Sequence, residues 1–193
     1  MENKRTETPL RRALEEYIDA GWSRLHMPGH KGAPIEPFGP LAAYDLTEVE
    51  GTDSLFEDDG PLKELEEIFT QLYGTRSSVI SAGGSTLCIQ AMLRLVAREG
   101  GKVIAGRNIH AAAVNAMALL GLEPVWVYPQ RDAEERLIGR IAPEDVAAAL
   151  QRESDICAVY ITSPDYFGVM SDIEGIAKLG QQIVNLYYRN PNK

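Results

Sequence analysis

The feature that most restricts the fold is an alternation that starts near residue 78 of this 193-residue chain. Short β-like runs at Ser78–Ser81, Lys102–Ala105, Pro124–Tyr128 and Cys157–Thr162 are separated by helical stretches. These stretches run from about Ser85 to Arg98, from about His110 to Leu120, and from Pro143 to Gln151. Single strands spaced by a helix cannot pair as hairpins. The helix carries the chain back to its starting edge, so successive strands lie parallel. The expected class is therefore α/β, a mostly parallel sheet with flanking helices. Ser171 and Glu174 have capping-box spacing for a further helix ending near Gly180, and Ile183–Tyr188 reads as the start of another strand.

The chain before this alternation has a different character. Thr8 and Pro9 suit a helix start, with Leu10, Ala13, Leu14, Tyr17 and Ile18 on one face and Gly21 as the stop. Residues 22–60 are rich in glycine and proline and predict a long irregular stretch. Pro61 opens a second helix whose buried face should be Leu62, Leu65, Ile68, Phe69 and Leu72.

Composition narrows the function classes. Hydrophobic residues make up 45% and charged residues 24%, as in a globular protein. A net charge of −9 disfavours sequence-independent nucleic-acid binding, which depends on basic side chains. No apolar run approaches the roughly 20 residues of a membrane-spanning helix. The polar Met1–Glu7 stretch has no apolar segment behind it, so no secretory signal is expected. Cys88 and Cys157 sit in apolar segments and read as core residues of a reduced, cytoplasmic protein.

Three segments can carry chemistry. Ser81-Ala82-Gly83-Gly84-Ser85-Thr86 is placed between a strand and a helix. Glycines there let an anion approach, the helix start offers unpaired N–H groups, and two hydroxyls add donors. The alternative is a tight turn with a serine cap. The segment fits neither a P-loop nor a dinucleotide fingerprint. His110 follows the Lys102–Ala105 run, at the strand end where ligands bind in parallel sheets. It can stack on a flat ring or move protons, or be only an exposed residue at a helix start. Ser163-Pro164 follows the next strand but one, as a ligand contact or as a turn initiator. His26 and His30 share a Pro/Gly loop without the spacing of zinc-binding helices, so no metal site is expected. The Asp53–Asp59 cluster lacks the ligand order of a calcium loop and reads as a solvated loop.

Taken together, these segments resemble the Orn/Lys/Arg decarboxylase family. The matching pieces are His26-Met27-Pro28-Gly29-His30-Lys31-Gly32, Asp45-Leu46-Thr47-Glu48, Gly51-Thr52-Asp53-Ser54-Leu55 and Gly60-Pro61-Leu62-Lys63-Glu64. Gly84-Ser85-Thr86, Arg107-Asn108-Ile109-His110 and Thr162-Ser163-Pro164-Asp165-Tyr166-Phe167-Gly168 follow in family order. The resemblance implies a pyridoxal 5'-phosphate enzyme of the aspartate-aminotransferase fold (fold type I). It further implies decarboxylation of arginine, lysine or ornithine, and a homo-oligomer. By the same resemblance Gly84, Ser85 and Thr86 hold the cofactor phosphate, His110 stacks on the ring, and Ser163 lies near the ring hydroxyl. Residues 1–60 would form a helical and irregular arm, and residues 61–193 an incomplete cofactor-binding large domain.

The chain departs from the family in two places. Ala111-Ala112-Ala113 follows His110 where relatives often carry polar residues. The Schiff-base lysine and the pyridinium-pairing aspartate of the family have no match. None of the six lysines (4, 31, 63, 102, 178 and 193) stands in the expected motif. The resulting expectation is a truncated N-terminal part, inactive alone. An aminotransferase or other lyase of the same fold, and a non-catalytic interaction module, are the alternatives.

Overall fold

A computed structural model describes residues 8–131 and 139–189. The chain divides into two compact units, Met1–Ile80 and Ser81–Lys193.

The first unit holds two helices, α1 (Pro9–Asp19) and α2 (Pro61–Tyr73), and a 3-10 turn at Pro40–Tyr44. Proline opens both helices, where its missing N–H has no partner to lose. Thr8 makes no side-chain cap bond on α1, contrary to expectation. The helix-start donors of α2 are served from a distance. The Asp53 carboxylate accepts N–H groups of Ser54, Asp59, Gly60 and Leu62 at 2.7–3.3 Å. The acidic loop is thus organised around one carboxylate instead of being merely solvated. On α2 the expected apolar face is incomplete, with Phe69 and Leu72 exposed and Glu66 buried. Glu66 is tolerated there because its Oε1 accepts the Ile80 N–H at 2.8 Å.

The His26–Gly32 loop is held from within. Tyr17 Oη and His26 Nε2 are 2.6 Å apart, and Lys31 Nζ donates to the His26 carbonyl. His30 Nδ1 accepts the Gly32 N–H, and its Nε2 donates to Asp45 Oδ2, both at 3.0 Å.

The second unit is a three-layer α/β/α arrangement. Its elements are α3 (Gly84–Val96), β1 (Lys102–Gly106), α4 (Ala111–Leu119), β2 (Glu123–Val127), α5 (Pro143–Arg152), β3 (Ile156–Tyr160) and α6 (Ile173–Arg189). The strands pair in parallel in the order β2-β1-β3. The alternation of β1 divides the core. Val103 and Ala105 pack with Leu93, Ala113, Ala116 and Met117 of α3 and α4. Ile104 faces the other way, into a cluster with Val146 and Ala149 of α5 and Ile176 of α6. Both layers exist because β1 is apolar at every position from Val103 to Gly106.

The structure differs from several sequence expectations. Ser78–Ser81 forms no strand. The final helix does not stop at Gly180 but runs to Arg189, so Ile183–Tyr188 is helical and begins no strand. Ser171 is not its cap. The Ser171 hydroxyl accepts the Ile141 N–H, while Asp172 Oδ1 accepts the Gly175 N–H at 2.9 Å. Cys88 is exposed and only Cys157 is half-buried, so Cys88 is no core residue.

Candidate active site

Strand order makes the site. The chain leaves β1 for β2 on one side and returns to β3 on the other. The carboxyl ends of β1 and β3 therefore flank a switch point, where two loops diverge and leave a crevice. His110 lies in the loop that leaves β1, and Ser163 in the loop that leaves β3. Their strands pair directly, with Ala105 opposite Tyr160, so both residues occupy one edge.

The two loops approach closely. A Cβ added to Gly106 would lie 3.0 Å from Asn108 Oδ1 and 3.3 Å from Ile161 Cγ2, so a side chain at the strand end would crowd both. Asn108 Oδ1 is buried between these loops with no hydrogen-bond partner among the described residues. A buried amide oxygen left alone costs about 1–3 kcal/mol, so this edge carries unfilled polar capacity.

His110 is the N-cap of α4, and its Nδ1 accepts the Ala112 N–H at 3.1 Å. That bond keeps the proton of the neutral ring on Nε2 and restrains the ring orientation. Local sequence explains the geometry. The small Ala111-Ala112-Ala113 run lets α4 begin immediately after the ring and bury Ala112 and Ala113. Ser163 is half-buried, and its Oγ accepts the Ser171 N–H at 3.0 Å, leaving the hydroxyl proton to be donated elsewhere. On the same strand, burial raises the Tyr160 phenol pKa and outweighs the opposing hydrogen bond to Thr162.

Gly84, Ser85 and Thr86 open α3 and are exposed. No side chain caps this helix, so its first N–H groups have no side-chain acceptor among the described residues. Gly84 has φ +67°, a left-handed conformation that a side chain would strain, and open space lies where its Cβ would be. Gly83 cannot carry a side chain either, since a Cβ would meet Leu87 Cδ2 at 2.5 Å. Ser81 Oγ stiffens the turn by accepting the Gly83 N–H. The stripe Ile89, Leu93, Ala97 lies on the sheet cluster, and residues 97–101 join α3 to the amino end of β1. The helix therefore runs back along the strand, which carries its N-terminus toward the carboxyl edge. An exposed, uncapped, glycine-led helix start with two free hydroxyls fits a phosphate group.

All five residues singled out from sequence thus lie in the second unit. His110 and Ser163 share one edge, and no hydrogen bond among the described residues joins them to each other or to Gly84–Thr86. Sequence reasoning missed two neighbours of His110. Asn108 supplies the unpartnered amide oxygen, and the Arg107 guanidinium lies 4.9 Å from the Trp126 ring centroid, a cation fixed at the carboxyl edge of an acidic chain. The signal available was their place in the Arg-Asn-x-His motif. Among the described residues, no group of His, Cys, Asp and Glu can hold a metal ion. No described helix is long and apolar enough to cross a membrane.

Comparison with known proteins agrees with the α/β fold. The chain is 30% identical over 180 residues to an arginine decarboxylase of Bacillus cereus, covering 90% of this chain and 39% of that protein. It is 29% identical to an arginine decarboxylase of Bacillus subtilis, covering 90% of this chain and 37% of that one. The chain therefore spans less than two-fifths of these relatives. In three dimensions it is similar to the Francisella novicida lysine decarboxylase, with a TM-score of 0.77 at 20% identity over 91% of this chain and 27% of that one. The family model for the major domain of Orn/Lys/Arg decarboxylases matches residues 8–187, and the chain belongs to that family.

Proposed function

We propose that this chain forms the cofactor-binding edge of a pyridoxal-phosphate-dependent decarboxylase acting on a basic amino acid. The observation that carries this reading is the pairing of β1 with β3, which sets His110 and Ser163 on one carboxyl edge at a switch point. When bound, pyridoxal phosphate supplies a conjugated ring that takes up the electron pair released as carbon dioxide leaves.

The chain's own residues do the rest. The N–H groups at the start of α3 and the hydroxyls of Ser85 and Thr86 bind the phosphate dianion. His110 stacks its imidazole on the ring, and the Ala112 N–H keeps that imidazole from turning. Ser163 donates its hydroxyl proton to an oxygen on the ring while Ser171 holds it in place.

The 193 residues by themselves are proposed to release no carbon dioxide. The described lysines are committed elsewhere: Lys31 to the His26 carbonyl, Lys63 to Asp58, Lys102 to Glu153 and Lys178 to Glu174. Lys102 stands at the amino end of β1, opposite the candidate site.

Absorbance titration with pyridoxal phosphate tests the reading. Saturable binding is expected, and Ser85→Ala or Thr86→Ala should each weaken it about ten- to a hundredfold, the effect of one hydrogen bond to a charged group. Binding that is absent, or indifferent to both substitutions, overturns the assignment. Carbon dioxide release from arginine, lysine or ornithine by the same samples would refute the proposed inactivity.

A further inference from the structure

The loop that follows Ser163 carries a feature that the cofactor reading leaves unused. Tyr166 is 95% exposed and Phe167 63% exposed. Large aromatic side chains so exposed usually belong to mobile segments or to contact sites. This segment is tied down. Asp165 Oδ1 accepts the N–H groups of Phe167 and Val169, both at 2.9 Å, and the Asp165 N–H donates to the Val169 carbonyl at 3.0 Å. The Gly168 N–H closes the turn onto the Asp165 carbonyl, with Gly168 at φ +82°. The two rings sit edge to face, with centroids 5.4 Å apart and planes at 88°. The chain therefore builds an ordered turn whose outcome is to hold two aromatic rings in solvent, beside the candidate site and on its carboxyl edge.

An aromatic face attracts cations, and a carboxylate at its base adds to that attraction. We propose that Tyr166 and Phe167 form an aromatic lip that receives the cationic end of a basic amino acid whose other end lies at Ser163. The lip favours a guanidinium or ammonium over an uncharged side chain of similar length. This inference rests on the proposed function and assigns two residues that recognise the cationic end of its substrate. Neither ring is needed by the core. Tyr166 makes no hydrogen bond among the described residues, so its replacement leaves the fold intact.

The test uses two stable reduced conjugates of pyridoxal phosphate, one with arginine and one with norleucine, titrated into the full chain by fluorescence. The arginine conjugate should bind about two- to fivefold tighter, the range of an exposed cation–π contact. Tyr166→Ala and Phe167→Ala should each reduce that ratio, and Tyr166→Phe should keep it, since the ring and not the hydroxyl is responsible. Equal binding of the two conjugates overturns the lip while leaving the cofactor reading standing. So does an equal loss of both conjugates in the alanine variants, which marks an apolar contact. Failure of either conjugate to bind at all overturns the cofactor reading itself, and the lip with it.

Discussion

His110 does two jobs that single substitutions can separate. Its Nδ1 caps α4, and under the proposed function its ring stacks on the cofactor. His110→Phe keeps a flat ring but cannot accept the Ala112 N–H. Cofactor affinity should then stay near that of the parent chain while α4 loses its cap. His110→Ala removes both, and affinity should fall about two- to tenfold, the range for an aromatic stacking contact. Titration and thermal melting of the two variants check this; equal affinity loss in both would show that stacking is not the role. The histidine was legible in sequence because it follows a strand in a family motif. Its capping bond was not, since that depends on the dihedral angles of the first turn of α4.

At the scale of the element, the Gly51–Pro61 segment and α2 behave as one piece through Asp53. Desolvation pushes the Asp53 carboxyl pKa up, but the backbone N–H donors from Ser54, Gly60, Asp59 and Leu62 outweigh it, and the group lies below the ordinary aspartate value. A carboxylate whose folded pKa is depressed stabilises above its unfolded value, and that stabilisation is lost as pH falls through the folded value. Asp53→Asn places amide hydrogens against backbone donors. It should lower the melting temperature at pH 7 by about 4–8 °C, the shift expected from a modest stability loss in a unit of this size. The gap between variant and parent should narrow as pH falls through the depressed folded value, below the ordinary aspartate range. Circular dichroism melts over an acid titration check it, and a gap that does not narrow on acidification would count against the capping role. Sequence showed an acidic loop before a proline-led helix. It did not show that one aspartate gathers the donors, because those residues meet only when the loop closes.

Across the second unit, stability depends on β1, the only described strand with neighbours on both sides and helices on both faces. Ile104 is fully buried among side chains of β2, β3, α5 and α6. Ile104→Ala should cost about 2–5 kcal/mol, a large part of the stability of one domain. Denaturant unfolding followed by fluorescence should show it, and a loss under about 1 kcal/mol would mean that the layers do not share one core.

The sequence by itself determined the α/β class, the family and the identity of the candidate residues. Each rests on local information: single strands spaced by helices, an apolar run through β1, and short motifs in order. Tertiary structure decided the rest. That His110 and Ser163 leave neighbouring strands, on either side of a switch point, follows from β3 pairing with β1 and not with β2, a long-range choice that no local pattern records. The same holds for Ser78–Ser81, which has strand composition but no neighbouring strand among the described residues to satisfy its backbone. Gly180 signals a helix stop, yet α6 continues through it with Ile176 anchored in the α5 layer. An interior glycine costs a helix only about 1 kcal/mol, so it weakens a helix without having to end it.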